Sequence, residues 1–192
     1  MGKAYANRKQ VKDRPESDFY ATPKSLCREL LKLEPIPYDS EVYDPCEGEG
    51  AITDVLREYG YNAYGDDIRT TGLDFLKHNE EHDYMMFNPP FSLFDEFVLQ
   101  AQRLTRKKYI VLIKTNFFGA YKRYESGVWK HLESLYIFNR QVDYRSPTRE
   151  DGHFNVGNLI TGFAVFNKEW QGDYWETRIM DVQKYATLGG IK

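Results

Sequence analysis

The sequence predicts an α/β fold in which a parallel sheet carries helices on both faces. Strand-like and helix-like apolar patterns alternate along the chain, which is the order expected when helices connect parallel strands. Residues 109–113 form a continuous apolar run, typical of a strand that is buried on both faces. Polar, glycine-rich and proline-rich segments follow the predicted strands. Ligands of such sheets bind at the carboxyl ends of the strands, so we expect the functional site there.

The first half of the chain supplies two predicted helix-strand pairs. Residues 23–33 have helical periodicity, with Thr22 as the expected cap and Pro23 at the first helical position. A short strand at 41–44 then leads through a turn into a helix at 51–59, which Gly60 closes. Residues 61–64 are extended and end at a pair of aspartates.

The second half continues the alternation. An apolar strand at 84–87 is ended by two prolines, and a helix at 92–104 begins with Ser92 as its expected cap. Strands are predicted at 109–113, 135–138 and 159–166, with a polar loop at 139–158.

Composition indicates one globular domain. The chain has 192 residues, of which 41% are hydrophobic and 29% are charged. Its apolar runs are too short to cross a bilayer, and its first ten residues lack the apolar segment of a secretory signal. Cys27 and Cys46 have no metal-type spacing and favour a reduced, cytoplasmic location. We therefore expect a basic tail at residues 1–14 and a single domain at residues 15–192.

The first candidate motif is a glycine-containing turn at residues 44–50, directly after the first core strand. Gly48 and Gly50 allow the backbone to turn tightly and to approach a ligand closely. An acidic residue, Asp67, follows at the end of the next predicted strand, where a carboxylate can accept both hydroxyls of a ribose. This pattern predicts a nucleoside site, and it also fits nicotinamide and flavin enzymes.

The second motif is the tetrapeptide Asn88-Pro89-Pro90-Phe91, which follows the apolar strand at 84–87. An amino group conjugated to a base is a poor nucleophile because its lone pair is delocalised. Two acceptors aimed at its hydrogens favour a tetrahedral, reactive geometry, and the Asn88 side chain and the Pro89 carbonyl supply them. Phe91 offers an aromatic face on which an extruded base can stack. The motif predicts a site that binds and activates a planar amino group.

With both motifs in place, residues 18–166 resemble the Rossmann-like amino-methyltransferases, specifically the phage-type and EcoRI-like adenine DNA methyltransferases. A glycine turn that precedes the tetrapeptide is similar to their gamma arrangement. The resemblance implies a Rossmann-like S-adenosylmethionine methyltransferase fold with a mostly parallel seven-stranded sheet and one antiparallel edge strand. Residues 159–166 would form one of the last two strands.

The resemblance also implies roles for individual residues. One set would hold the methionine end of S-adenosylmethionine: Tyr20, Thr22, Pro23, Asp44, Cys46, Gly48 and Gly50. Asp67 would bind the ribose of this cofactor, and Asp74 and Phe75 would flank its adenine. The four residues Asn88, Pro89, Pro90 and Phe91 would be catalytic, without a metal.

The implied reaction is methyl transfer to the exocyclic amino nitrogen of adenine in DNA, as in bacterial or phage-encoded restriction-modification systems. The target adenine would leave the duplex or already be single-stranded. The expected single domain leaves no room for a separate target-recognition region. Recognition would then come from the loop at 139–158, the basic segments or a specificity partner.

The basic residues are unevenly distributed. Residues 103–149 contain eleven Lys and Arg residues against three acidic ones, and residues 1–14 contain five against one. Such zones indicate an anionic partner such as DNA, or a solvated helix surface, and charge alone does not separate these interpretations. For Lys122 and Arg123 the same two interpretations apply: contact with phosphates near the site, or a solvated helix surface.

Other interpretations remain open at this point. An RNA base or a protein glutamine would suit the tetrapeptide equally well, and a silent DNA-binding relative or a nicotinamide enzyme would have a similar fold. His78 and His82 have helical spacing but lack the glutamate of a zinc motif, so we expect a solvated helix end.

Overall fold

The computed structural model describes residues 21–144 and 157–182. The strands of this part of the chain are β1 Glu41–Asp44, β2 Asn62–Gly65, β3 His82–Phe87, β4 Thr105–Lys114, β5 Leu132–Phe138, β6 Thr161–Asn167 and β7 Glu176–Met180. Its α-helices are α1 Lys24–Leu33, α2 Ala51–Glu58, α3 Phe94–Leu104 and α4 Tyr121–Glu125. Single 3₁₀ turns lie at Phe75–Lys77, Phe91–Leu93 and Thr115–Gly119.

These strands form one seven-stranded sheet in the order β2-β1-β3-β4-β6-β5-β7. All neighbouring pairs are parallel except the two that involve β6, which runs antiparallel to both β4 and β5. The fold class predicted from the sequence is therefore confirmed, but the antiparallel strand was wrongly expected at an edge. Residues 161–166 of β6 are all buried, and an apolar strand of this kind is stable where both of its sides are paired.

Helices cover both faces of the sheet. Alternate residues of β3 and β4 point to opposite faces, so Met86 and Ile110 pack on the side of α1 and α2. Met85 and Val111 pack on the side of α3. The two clusters of buried side chains lie on either side of β3 and β4, which explains the continuous apolar runs of these strands.

Several predicted element boundaries differ from the structure. Helix α1 begins at Lys24, and its N-cap is Pro23 without a side-chain hydrogen bond, so Thr22 is not the cap. Helix α3 begins at Phe94 with Leu93 as N-cap, because Ser92 lies in the preceding 3₁₀ turn. No helix of the described part is long and apolar enough to cross a membrane.

The parallel direction of β1, β2, β3 and β4 brings their carboxyl ends to one edge of the sheet. The register pairs Asp44 with Gly65 and Phe87 with Val111. The glycine turn, the aspartates after β2 and the proline tetrapeptide therefore meet at this edge, as the sequence predicts. Below, it is called the carboxyl edge.

Candidate active site

The glycine turn connects β1 to α2. The Asp44 carboxylate accepts a hydrogen bond from the Cys46 backbone N–H at 2.9 Å, which folds the chain back directly after the strand. Gly48 and Gly50 have φ values of 59° and 80°, in the left-handed region that favours glycine. Gly50 is also the N-cap of α2, so the amino end of this helix faces the turn.

Asp44 lies at the centre of an acidic cluster. Its side chain is only 1% exposed. Burial, together with the nearby charges of Glu47 and Asp67, raises the pKa of Asp44 to about 8. A nearby cation would favour the ionised form, so this acidic cluster suits a positively charged ligand and disfavours a phosphate-bearing one.

Gly65 is a site residue that motif reasoning missed. It ends β2 beside the turn, and a Cβ atom at this position would lie 2.6 Å from the Asp44 carbonyl oxygen and 2.7 Å from the Glu47 Cβ. The Glu47 backbone N–H also donates to the Asp66 carbonyl oxygen at 2.9 Å. Only glycine allows β2 and the turn to approach this closely. The sequence signal was a glycine immediately before the aspartate pair.

Asp67, the predicted ribose ligand, lies at the carboxyl edge but is bound by a neighbour. Its Oδ1 accepts from the backbone N–H and Nε of Arg69 at 2.9 and 3.0 Å, and its Oδ2 accepts from Arg69 Nη2 at 3.2 Å. Burial opposes ionisation, but the hydrogen bonds from Arg69 lower the pKa of Asp67 below its usual value. A ribose at this position would compete with the guanidinium of Arg69.

The side chains of Asp74 and Phe75, which were predicted to flank the cofactor's adenine, make contacts within the protein itself. The Asp74 carboxylate accepts from the Leu76 backbone N–H at 3.1 Å and caps the 3₁₀ turn. The ring of Phe75 is 2% exposed and packs 5.4 Å from Phe97 and 6.2 Å from Phe87. Because this ring belongs to the core, only the main chain of Phe75 and the side chain of Asp74 could reach an adenine.

Of the amino-terminal residues predicted to hold the cofactor, Tyr20 lies outside the described residues, whereas Thr22 and Pro23 lie within them. Thr22 is 4% exposed and precedes α1. The Lys24 ammonium is 2.7 Å from Asp54, which lies in the first turn of α2. This ion pair holds the segment of Thr22 and Pro23 close to the helix that follows the glycine turn.

The proline tetrapeptide touches the glycine turn directly. The Cys46 thiol donates to the Asn88 carbonyl oxygen at 3.3 Å. Burial, followed by the charges of Asp44 and Asp67, raises the pKa of this thiol well above its usual value, so the thiol stays protonated and acts as a donor. The two motifs that the sequence separates by about forty residues are therefore in direct contact.

Phe91 is less accessible than the sequence predicts. Its ring is 7% exposed, and the Lys114 ammonium lies 4.1 Å from the ring centroid. Phe117 packs against it edge-on, with centroids 6.0 Å apart. A base that stacks on Phe91 would have to displace the Lys114 side chain, which places this lysine in the site.

The basic residues of 103–144, the described part of the basic zone, do not form one face. Arg106, Lys107 and Lys108 lie at the amino end of β4 and pair with acidic side chains, whereas Lys114 lies at its carboxyl end. Of Lys122 and Arg123, which follow this strand, Arg123 is ion-paired with Asp95 and packs on aromatic rings. Lys122 is exposed.

The two histidines were assigned to the wrong element. His82 begins β3 and is 3% exposed, and its ring stacks on Tyr43 at 4.1 Å. His78 follows a 3₁₀ turn, so the four-residue spacing spans a loop and not a helix. Burial lowers the pKa of His82. Within residues 21–144 and 157–182, no group of three or more His, Cys, Asp or Glu side chains could hold a metal ion.

Comparison with solved structures finds the same fold in several proteins that are described as methyltransferases. No protein-family model and no curated protein sequence matches the chain. A type I restriction-modification methyltransferase subunit from Streptococcus thermophilus superimposes with a TM-score of 0.59 at 10% identity, over 86% of this chain and 48% of that one. A protein described as a modification subunit of a type I restriction enzyme from Vibrio vulnificus gives 0.58 at 11% identity, over 80% and 45%.

A third solved structure has nearly the same extent as this chain. A protein from Agrobacterium tumefaciens, described as a predicted O-methyltransferase, gives a TM-score of 0.54 at 10% identity, over 83% of this chain and 86% of that one. The chain thus spans about half the length of the two restriction-modification subunits. At these identities the likeness shows a shared Rossmann-like fold, and the substrate has to be argued from the site.

Proposed function

We propose that this protein is an S-adenosylmethionine-dependent methyltransferase that methylates the exocyclic amino nitrogen of adenine in DNA. The observation that carries the proposal is the contact between Cys46 and Asn88. Through this contact the glycine turn, which suits a cationic nucleoside, lies beside the tetrapeptide, which suits a target amine. Two structural neighbours are described as a modification subunit of a type I restriction enzyme and as a methyltransferase subunit of a type I restriction-modification system, and these descriptions favour the same substrate.

The residues of the glycine turn fit the proposed cofactor. Glycine backbone at positions 48 and 50 allows close approach, and the cluster around Asp44 is negatively charged when ionised. When bound, S-adenosylmethionine supplies an electrophilic methyl group on a positively charged sulfur. Asp44 and the turn would hold the methionine end of the cofactor, and Asp67 would take the ribose in place of Arg69.

The tetrapeptide would prepare the target amine. The Asn88 side-chain oxygen and the Pro89 carbonyl would accept hydrogen bonds from the two amine hydrogens. Pro90 restricts the backbone, so these acceptors keep a fixed direction. Orientation of this kind accounts for a large part of the rate in a direct transfer.

The target base would stack on Phe91 after it leaves the helix. Lys114 covers this ring in the structure, and its flexible side chain can turn outward to a phosphate as the base enters. Sequence recognition would come from the loop at 139–158, the basic segments or a specificity partner.

The test compares Asn88→Ala with the matched control Asn62→Ala, an exposed asparagine at the amino end of β2. Titration calorimetry should show similar affinity of both variants for S-adenosylmethionine. Transfer of labelled methyl to DNA should be lost in Asn88→Ala and retained in Asn62→Ala. Unchanged turnover in Asn88→Ala would contradict the catalytic assignment.

A further inference from the structure

We propose that Tyr121 and Tyr124 of α4 form a stacking platform for unpaired DNA bases beside the target adenine, with Lys122 at the neighbouring phosphate. This inference rests on the proposed function, because it names how the same site holds its substrate. It assigns to α4 a role in binding the strand and none in the chemistry of transfer.

The two tyrosines of α4 are both largely exposed. Tyr121 is 73% exposed and Tyr124 is 74% exposed. They are three residues apart on α4, so their rings project from the same side of the helix. Within residues 21–144 and 157–182, neither side chain makes a hydrogen bond or a ring contact. Both side chains are thus largely exposed to solvent.

Helix α4 is fixed to the tetrapeptide by packed side chains. Phe117 lies 4.5 Å from Phe94 and 6.0 Å from Phe91, between ring centroids. The guanidinium of Arg123 lies 4.4 Å from the centroid of Phe117, donates to its carbonyl oxygen at 3.2 Å, and pairs with Asp95. Because Arg123 is in α4, these contacts fix this helix against Phe117, which packs in turn on Phe91 of the proposed base site.

The chemistry of this surface favours a nucleic-acid strand over a protein partner. Exposed Lys122 lies between the two tyrosines in sequence, and Lys114 lies over Phe91 at the same edge. Aromatic faces combined with lysines are the pattern by which proteins bind single strands without reading their sequence. A helix of five residues is too short to offer the continuous apolar stripe that a partner helix requires.

The test is fluorescence anisotropy with a labelled single-stranded DNA oligonucleotide that contains adenine, without cofactor, so that no turnover is needed. The variants are Tyr121→Ala/Tyr124→Ala, the corresponding double Phe variant, and Tyr38→Ala. Tyr38 is a matched control, since it is 78% exposed and lies between α1 and β1, away from the carboxyl edge.

Stacking on two bases predicts that the double Ala variant binds roughly thirtyfold more weakly, whereas the Phe variant and Tyr38→Ala bind within about twofold of wild type. Lys122→Ala should reduce the slope of log affinity against log salt by about 0.7. An unchanged affinity of the double Ala variant overturns the inference, as does an equal loss in Tyr38→Ala. Methyl transfer by the wild type, measured separately, decides the proposed function in either case.

Discussion

Replacing Asp44 with asparagine should remove a pH-dependent part of the free energy of unfolding. Burial and the charges of Glu47 and Asp67 raise the pKa of Asp44 to about 8 in the folded protein, against about 3.9 for an aspartate in an unfolded chain. Between these values the folded protein holds a proton that the unfolded chain has released. The contribution of Asp44 to stability is therefore fully present below about pH 4 and is lost as the pH rises through about 8.

The magnitude follows from the number of protons released. One proton changes the free energy of unfolding by up to about 1.4 kcal/mol for each pH unit, which gives up to about 2.7 kcal/mol between pH 5 and pH 7. Asparagine has the same shape, and its side-chain oxygen can still accept the Cys46 backbone N–H that Asp44 accepts at 2.9 Å. The substitution therefore tests the charge more than the packing.

The assay is urea-induced unfolding of the ligand-free wild type and Asp44→Asn at pH 5, 6 and 7. The stability of the variant relative to the wild type should increase by an amount approaching 2.7 kcal/mol over this range. The exposed Asp173→Asn serves as the control and should leave the pH dependence of the wild type unchanged. Parallel pH profiles for the wild type and Asp44→Asn would refute the reasoning.

Further predictions concern the site and the core. A cationic ligand binds best when Asp44 has lost its proton, so the affinity of the wild type for S-adenosylmethionine should rise by up to about tenfold between pH 6 and pH 7. Calorimetry measures this affinity, and Asp44→Asn should bind weakly at both pH values. Gly65→Ala should weaken this binding at least tenfold and lower the melting temperature, because its Cβ would lie 2.6 Å from a carbonyl oxygen. Lys108→Met should cost about 3 kcal/mol in urea unfolding, since it leaves Glu34 without its cation, while cofactor affinity at the opposite edge stays unchanged. Among the described residues, the buried hydroxyl of Tyr109 has no hydrogen-bond partner, so Tyr109→Phe should raise the free energy of unfolding by about 1 kcal/mol; a loss of stability would contradict this.

The sequence predicts those parts of the fold in which local chemistry decides the structure. The apolar runs of β3 and β4, the left-handed glycines of the turn and the prolines after β3 each restrict the backbone by themselves. Their positions at strand ends were enough to predict that Asp44 and Asn88 share one edge. Strand β7 was not located, because four of its five residues are exposed and its pattern has no apolar period.

Sequence patterns do not predict the contacts that tertiary folding creates between loops and strand ends. The guanidinium of Arg69 on Asp67 and the ammonium of Lys114 on Phe91 depend on where loops return to the carboxyl edge. Phe75 follows a polar residue in a loop, and its burial depends on α3 packing over it. His82 was misassigned because a four-residue spacing is common to helices and to a loop that enters a strand.

The most direct test of the central claim is transfer of labelled methyl from S-adenosylmethionine to unmethylated duplex DNA, single-stranded DNA, RNA and bulk protein in parallel. Nucleoside analysis of the products identifies the modified atom. We predict label in DNA as amino-methylated adenine, lost in Asn88→Ala. Label in RNA or protein alone would contradict the proposed substrate, and no label despite measured cofactor binding would contradict the proposed methyltransferase activity.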